Sequence, residues 1–280
     1  MSSILTNNSA MVALQTLQSV NNNLSDVQSQ ISTGKSVSTA SDNAAIWAVS
    51  KVMESDQNSF KTIGDQLSLG EATVGVASNS AEQVVDLLTE MKELAIQASG
   101  DNVDHAKIEA DLAAKEEQIA SIVGGAQFNG VNLLATDVDG NSGTGISVIS
   151  SLDRVGSNAP TVSTISVDGV DFEASIVGGT RTAITSSATA QTAITEIEAL
   201  LEIAVDGAAQ LGSSQSRLSD QGEFVSKLAD SMTTGIGALV DADMEEASAR
   251  LQALQVQQQL ATQSLSIANQ APQQLLSLFQ

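Results

Sequence analysis

The stretch LQALQVQQQLATQSLSIANQAPQQLLSLFQ, Leu251–Gln280, contains no Asp, Glu, Lys or Arg. Its apolar side chains recur at Leu251, Leu254, Ala261, Leu265 and Ala268, the a/d spacing of a helix that packs along one seam. Val256, Leu260 and Ile267 fall on the far side of the same helix. The other end repeats the pattern. From Met1 to Gly34 the only charge is Asp26, and Ala10, Ala13, Leu17, Val20, Leu24, Val27 and Ile31 form a heptad seam. Ile4, Leu5, Met11 and Val12 lie off it. One face can pair the two ends within a chain, and the second face needs another cover. The competing reading places both faces inside one monomeric bundle, but few apolar residues remain to cover them.

These neutral ends flank an acidic body. The chain has 33 acidic against 11 basic residues, a net charge of −22. In a polymer every charge is repeated on each neighbour, and two like charges about 10 Å apart cost roughly 1–2 kcal/mol at an effective dielectric of about 20. Neutral Gln, Asn and Ser avoid that repulsion and still form hydrogen bonds when buried. The ends therefore read as surfaces buried among many copies of one molecule.

The bulk numbers exclude several classes. Aromatic residues make up 2% of the 280 residues, with one Trp and no Tyr, which suits long packed helices better than a thick globular core. There is no Cys, so a disulfide framework or thiolate chemistry is ruled out. No run of 18 apolar residues is present, so no transmembrane helix is expected. The N-terminus lacks a basic and then apolar leader, so no cleaved secretory signal is expected. The acidity argues against nucleic acid and anionic membranes as partners.

Between the ends the helical rhythm predicts an antiparallel bundle. After a Ser- and Thr-rich break at 32–41, with Ser41 or Asp42 as the next cap, it runs from Ile46 to Ala98. Gly64, Gly70 and Gly75 weaken that helix, and Gly100 ends it. A shorter helix fits His105–Val123. Residues 124–187 turn to Gly, Ser, Thr, Val and Asp, with strand-like alternation at Gly145–Ser150 and Thr161–Ile176 and a hairpin turn expected at Val167–Gly169. Helix resumes from Ile194 to Leu239, passes a stutter, and continues from Met244 until Pro272 ends or kinks it. The fold class expected is mainly α: a long antiparallel helical bundle with coiled-coil termini and a small β-rich central segment.

No constellation of residues carries chemistry. His105 is the only histidine and reads as a surface residue at a helix start. DVDGNSG, Asp137–Gly143, has a calcium-loop look, but Ser142 stands where that loop needs Gly and Val148 where it needs Glu. Gly140, Gly143 and Gly145 are followed by no Lys and no helix start, so they form no phosphate loop. Trp47 and the heptad Met residues read as core. No catalytic residue, metal site or cofactor is expected.

Six segments, in order, resemble bacterial flagellin. They are ISTGKSVSTASDNAA (Ile31–Ala45), LTEMKELAIQAS (Leu88–Ser99), FNGVNLL (Phe128–Leu134), LGSSQSRL (Leu211–Leu218), VDADMEEAS (Val240–Ser248) and ANQAPQQLLSLF (Ala268–Phe279). The resemblance covers about 1–135 and 190–280 and implies a layout. Residues 1–40 and 244–280 would form a terminal coiled-coil inner core, 41–135 and 188–243 a helical outer core, and 136–187 a small exposed, variable β-rich segment. It implies a structural subunit exported unfolded through the flagellar type III apparatus, which self-assembles into the extracellular filament that drives motility. Alternatives are a hook–filament junction protein of the same superfamily and a secreted coiled-coil tip or adhesin protein. The implied partners are many copies of itself, hook-associated and cap proteins, and an export chaperone at the C-terminal helix.

The self-assembly seam is assigned to Leu17, Val20, Leu24, Val27, Ile31, Leu251, Leu254, Leu260, Leu265 and Ile267. Outer-core packing is assigned to Leu88, Met91, Leu94, Phe128 and Arg217. In family members seen by the innate immune flagellin receptor the Leu88–Leu94 segment carries Arg where this chain has Glu90, which implies weak recognition.

Overall fold

The computed structural model describes residues 7–154 and 160–278. Five α-helices and one hairpin follow in order: α1 (Asn8–Thr33), α2 (Ala44–Gln97), α3 (His105–Gly125), β1 (Gly145–Asp153), β2 (Thr161–Asp168), α4 (Ser187–Val240) and α5 (Met244–Leu278). A π-helical turn, Glu173–Val177, follows β2. The chain divides into two compact units, one of residues 1–55 and 231–280 and the other of residues 56–230.

The 56–230 unit holds the sealed core. On α2 the residues Leu67, Val74, Ala81, Val84, Leu88, Met91 and Ala95 are buried, and on α4 a heptad of Ile197, Ala204, Leu211, Leu218 and Val225. Leu112, Ile119 and Val123 add the buried face of α3. The alternation of Ala with Leu and Val lets long helices approach closely. Lys92 pairs with Glu198 at 3.1 Å and Gly75 lies beside Gln215, so α2 and α4 run antiparallel here. The glycines of α2 do not interrupt it; its 54 residues form one helix.

β1 and β2 pair antiparallel, from Gly145 opposite Asp168 to Asp153 opposite Thr161. The strand therefore ends at Asp168, earlier than the alternation to Ile176 implied. Val167–Gly169 is not the hairpin turn but its open end, where the Gly169 N–H donates to the Thr144 carbonyl. Residues 155–159, between the two strands, lie outside the described residues. The hairpin is also docked along the helices rather than free of them. Val148 of β1 packs where a Gly70 Cβ would stand, at 2.7 Å, and Phe172 packs the same way on Gly207, at 2.6 Å. Only glycine leaves room for these approaches. Gln221 donates to the Ser150 carbonyl at 2.8 Å, and Arg154 forks onto Asp56 with contacts of 2.7–3.2 Å.

In the other unit α1 and α5 pack against each other. The break after α1 meets the break between α4 and α5. Ser36 N–H donates to the Val240 carbonyl at 2.7 Å, and Ala242 N–H to the Gly34 carbonyl at 2.9 Å. Residues 241–243 are thus a helix break knit to residues 34–37, not a coiled-coil stutter. Asp243 caps α5 by accepting from Glu245 and Glu246 N–H. The cap of α2 is Asn43, whose Oδ1 accepts from Ile46 N–H. Asp42 instead accepts from Ser38 and Thr39 N–H, bonds that hold its carboxyl below the usual range. Trp47 is half-buried.

Pro272 does not end α5, which runs on to Leu278. A proline in a helix leaves the carbonyl four residues before it without an N–H partner. Here that carbonyl is Ala268, and Asn7 Nδ2 donates to it at 2.7 Å.

Candidate functional site

The two longest uncharged stretches of the sequence, 1–25 and 251–280, fall largely on α1 and α5. Their inner faces meet. Val20, Val27, Ala247 and Ala261 are buried, while Leu17, Leu24, Ile31, Leu251, Leu254 and Leu265 are half-buried beside them. Amides join the helices where a charge pair could stand. Gln258 Nε2 donates to Asn21 Oδ1 at 2.8 Å. Asn7 serves both helices, because its Oδ1 accepts from Ala10 N–H as the α1 cap while its Nδ2 reaches Ala268. Sequence reading missed Asn7, since only the fold brings it to residue 268.

The outer faces are uncovered. Met11 and Val12 are each 63% exposed, Leu260 is 59% and Ile267 69% exposed. Leu14 and Val256 add to the same rows. Of the residues assigned to the assembly seam, Leu260 and Ile267 thus face outward, and the other eight lie on or beside the α1–α5 contact. Ile4 and Leu5 lie outside the described residues. A groove of about 430 Å³ opens between the two helices, lined by Val12, Ala13, Thr16, Ala261 and Ser264 among others.

The residues assigned to outer-core packing separate. Leu88 and Met91 are buried, Leu94 and Phe128 half-buried, and Arg217 is exposed on α4. Phe128 opens a two-residue hairpin turn with Asn129 and Gly130 at positive φ. In the same segment Asn132 does more than the aromatic: its Nδ2 donates to Val123 at the end of α3, and its Oδ1 accepts from Leu134 N–H. That bond helps to seat Leu133 and Leu134 in the core.

An ionic cluster around the covered Arg181 side chain fixes the return chain to α3. Arg181, 4% exposed, donates to both Glu109 oxygens at 2.9 Å and to Glu116 at 2.8 Å. Glu109 also accepts from Ile184 N–H. The bonds from Arg181 hold the Glu109 carboxyl below the usual carboxylate range, against the opposing effect of burial.

The chemistry-bearing candidates are occupied by structure. Asp139 accepts from Asn141 and Gly143 N–H, and Asp137 from Ser142 N–H. The acidic loop closes on its own backbone. Among the described residues no group of three or more His, Cys, Asp or Glu is placed to hold a metal, and no helix is long and apolar enough to cross a membrane. His105 is half-buried, its Nε2 covered and without a hydrogen-bond partner.

The family model of the bacterial flagellin N-terminal helical region matches residues 4–139, and that of the C-terminal helical region matches residues 189–279. The chain belongs to the bacterial flagellin family. Flagellin from Brucella melitensis is 39% identical over all of this chain and 99% of its own length. Flagellin C of Rhizobium meliloti is 36% identical over the whole of both chains, and flagellin FljM of Caulobacter vibrioides 38% identical over all of this chain and 99% of its own. A crystal structure of Bacillus cereus flagellin aligns with 60% of this chain and 88% of that one, at 23% identity and a TM-score of 0.44. This flagellin is a structural subunit of the extracellular flagellar filament, a homopolymer, and not an enzyme. Nothing favours a junction or tip protein.

Proposed function

We propose that the outward rows of α1 and α5 are the surfaces through which copies of this flagellin pack in the filament. The observation that carries this is the pairing of apolar exposure with absent charge: Met11, Val12, Leu260 and Ile267 stand on helices with one charge before Gly34 and none after Arg250. Burying six such side chains against neighbours contributes on the order of 5–10 kcal/mol per subunit, before the entropy of association. The inner part of the subunit comprises 1–40 and 244–280, with Leu17, Val20, Leu24, Val27, Ile31, Leu251, Leu254, Leu260, Leu265 and Ile267 as its seam. The outer-core part comprises 41–135 and 188–243, and 136–187 is its small variable segment. The subunit passes unfolded through the flagellar type III apparatus, with a chaperone on the apolar helix from Met244. It adds at the tip beside cap and hook-associated proteins.

Seeded polymerisation followed by electron microscopy tests the reading. Full-length protein should grow long tubes, and a truncation ending at Ala253 should not. A full chain that stays monomeric with seeds and salt overturns it. Glu90, ion-paired to Lys115 of α3, carries a second expectation: weak activation of the innate immune flagellin receptor. Full potency at low dose in a reporter-cell assay would refute that.

A further inference from the structure

The 56–230 unit has its own unpartnered chemistry, on opposite flanks of α4. On one flank Phe224, one of five Phe in the chain, is 56% exposed. Arg217 lies two turns earlier, within about 20° of it around the axis. Arg217 is exposed and makes no ion pair among the described residues, not even with Asp220 three residues on. In a chain with 33 acids and 11 bases, an unused arginine is unusual.

The other flank is a socket. α2 and α4 part there into a groove of about 650 Å³ with Phe60 and Val225 in its wall. Both side chains are buried. Asp65, Glu71, Glu223 and Asp230 line it, against Lys61 as its one base. Gly64 and Gly222 widen it, and a Cβ at either would meet nothing within 4 Å. Packing within the chain therefore does not require glycine at these helical positions, where it costs stability. Gly222 lies two residues from Phe224, about 200° around the helix, so ring and groove face away from each other.

We propose that Phe224 of one copy seats in the Gly64–Gly222 groove of the next, with Arg217 over the acidic rim. This rests on the homopolymer reading but not on the terminal helices. A knob and a socket on opposite flanks cannot satisfy each other within a closed pair. They repeat head to tail and build an open polymer. Charge selects the occupant: the groove is acid-rich, and the ring that fits it travels with an unpaired guanidinium.

The test uses full-length chains in seeded polymerisation, with thermal unfolding of each monomer. Phe224→Ser and Arg217→Glu should leave unfolding unchanged and raise the critical concentration about tenfold or more. Gly222→Leu should raise the monomer's melting temperature, because leucine is the better helix former, yet impair assembly as strongly. The protein has no cysteine of its own, so filaments grown from mixed Gly64→Cys and Phe224→Cys subunits should give cross-linked dimers on oxidation. If Phe224→Ser alters folding, the Gly222→Leu and cross-linking results decide. Assembly at the unsubstituted critical concentration by all variants, or filaments with no cross-link, overturns the contact and leaves the terminal-helix reading standing. Failure of the unsubstituted chain to polymerise sinks both.

Discussion

Along α4 the heptad Ile197, Ala204, Leu211, Leu218 and Val225 is at most 1% exposed at each position. Along α5, among the residues whose burial is described, only Ala247 and Ala261 are buried, while Val256, Leu260 and Ile267 are more than half exposed. Both helices carry the same period. The difference is how many faces find a partner. α4 lies in a bundle with α2, α3 and the docked hairpin segment, whereas α5 has α1 on one side. An isolated helix pair with half its apolar surface in water is marginal, and neutral amides on its outer face add no repulsion when neighbours arrive. The two regions thus differ in what they leave over: the 56–230 unit buries its heptad within the chain, whereas the terminal pair leaves apolar rows in water, which under the proposed reading meet neighbouring copies.

The largest expected effect breaks the sealed side. Leu67, 1% exposed, replaced in Leu67→Ala should cost about 3 kcal/mol of unfolding free energy, measured by denaturant titration, with little change in the terminal helices. A loss under about 1 kcal/mol would mean that the bundle is no better packed than the ends. Next comes acid. Glu109 titrates below its unfolded value, so its contribution is present above the ordinary carboxylate range and is lost as pH falls below it. Melts of the parent and of Glu109→Gln should differ most near neutrality and converge in acid. A difference that persists in acid would assign the effect to packing.

Asn7 sharpens the comparison at the ends. Asn7→Asp keeps the cap acceptor but loses the donor to Ala268, and should cost about 1 kcal/mol of terminal-helix stability, read by amide exchange. In a Pro272→Ala background the restored N–H reaches the same carbonyl, so the effect should shrink. Equal effects in both backgrounds would remove the link between the two residues. The smallest expected effect is Leu260→Ser, which should shift monomer stability by less than about 0.5 kcal/mol while raising the critical concentration for tubes. A large loss of monomer stability would show that Leu260 is packed within the subunit.

Much of this was legible in the residues. The heptads of α1, α2, α4 and α5 are continuous enough to read directly, and charge depletion marked the terminal helices. What went unread had competing causes, one of them local and the others distant in the chain. Asp42 satisfies the usual cap preference, but its carboxylate is taken by Ser38 and Thr39, leaving Asn43 to cap. A proline normally stops a helix; here the Ala268 carbonyl that the missing N–H of Pro272 leaves free is taken up by Asn7, 261 positions before Ala268. Gly70 reads as a weak point of its helix but is the docking pad for Val148, and Gly207 serves Phe172 in the same way. Arg217 sits in a segment that resembles the family's, yet its side chain points out of the core.

By itself the sequence determined the long helices, the neutral ends and the family, because each rests on local period, composition or motif order. Only the tertiary structure decided which helix breaks meet, how the hairpin lies on α2 and α4, and which apolar rows remain in water. Those depend on close approaches between residues far apart in the chain, and a linear pattern of apolar and polar positions carries no record of distance.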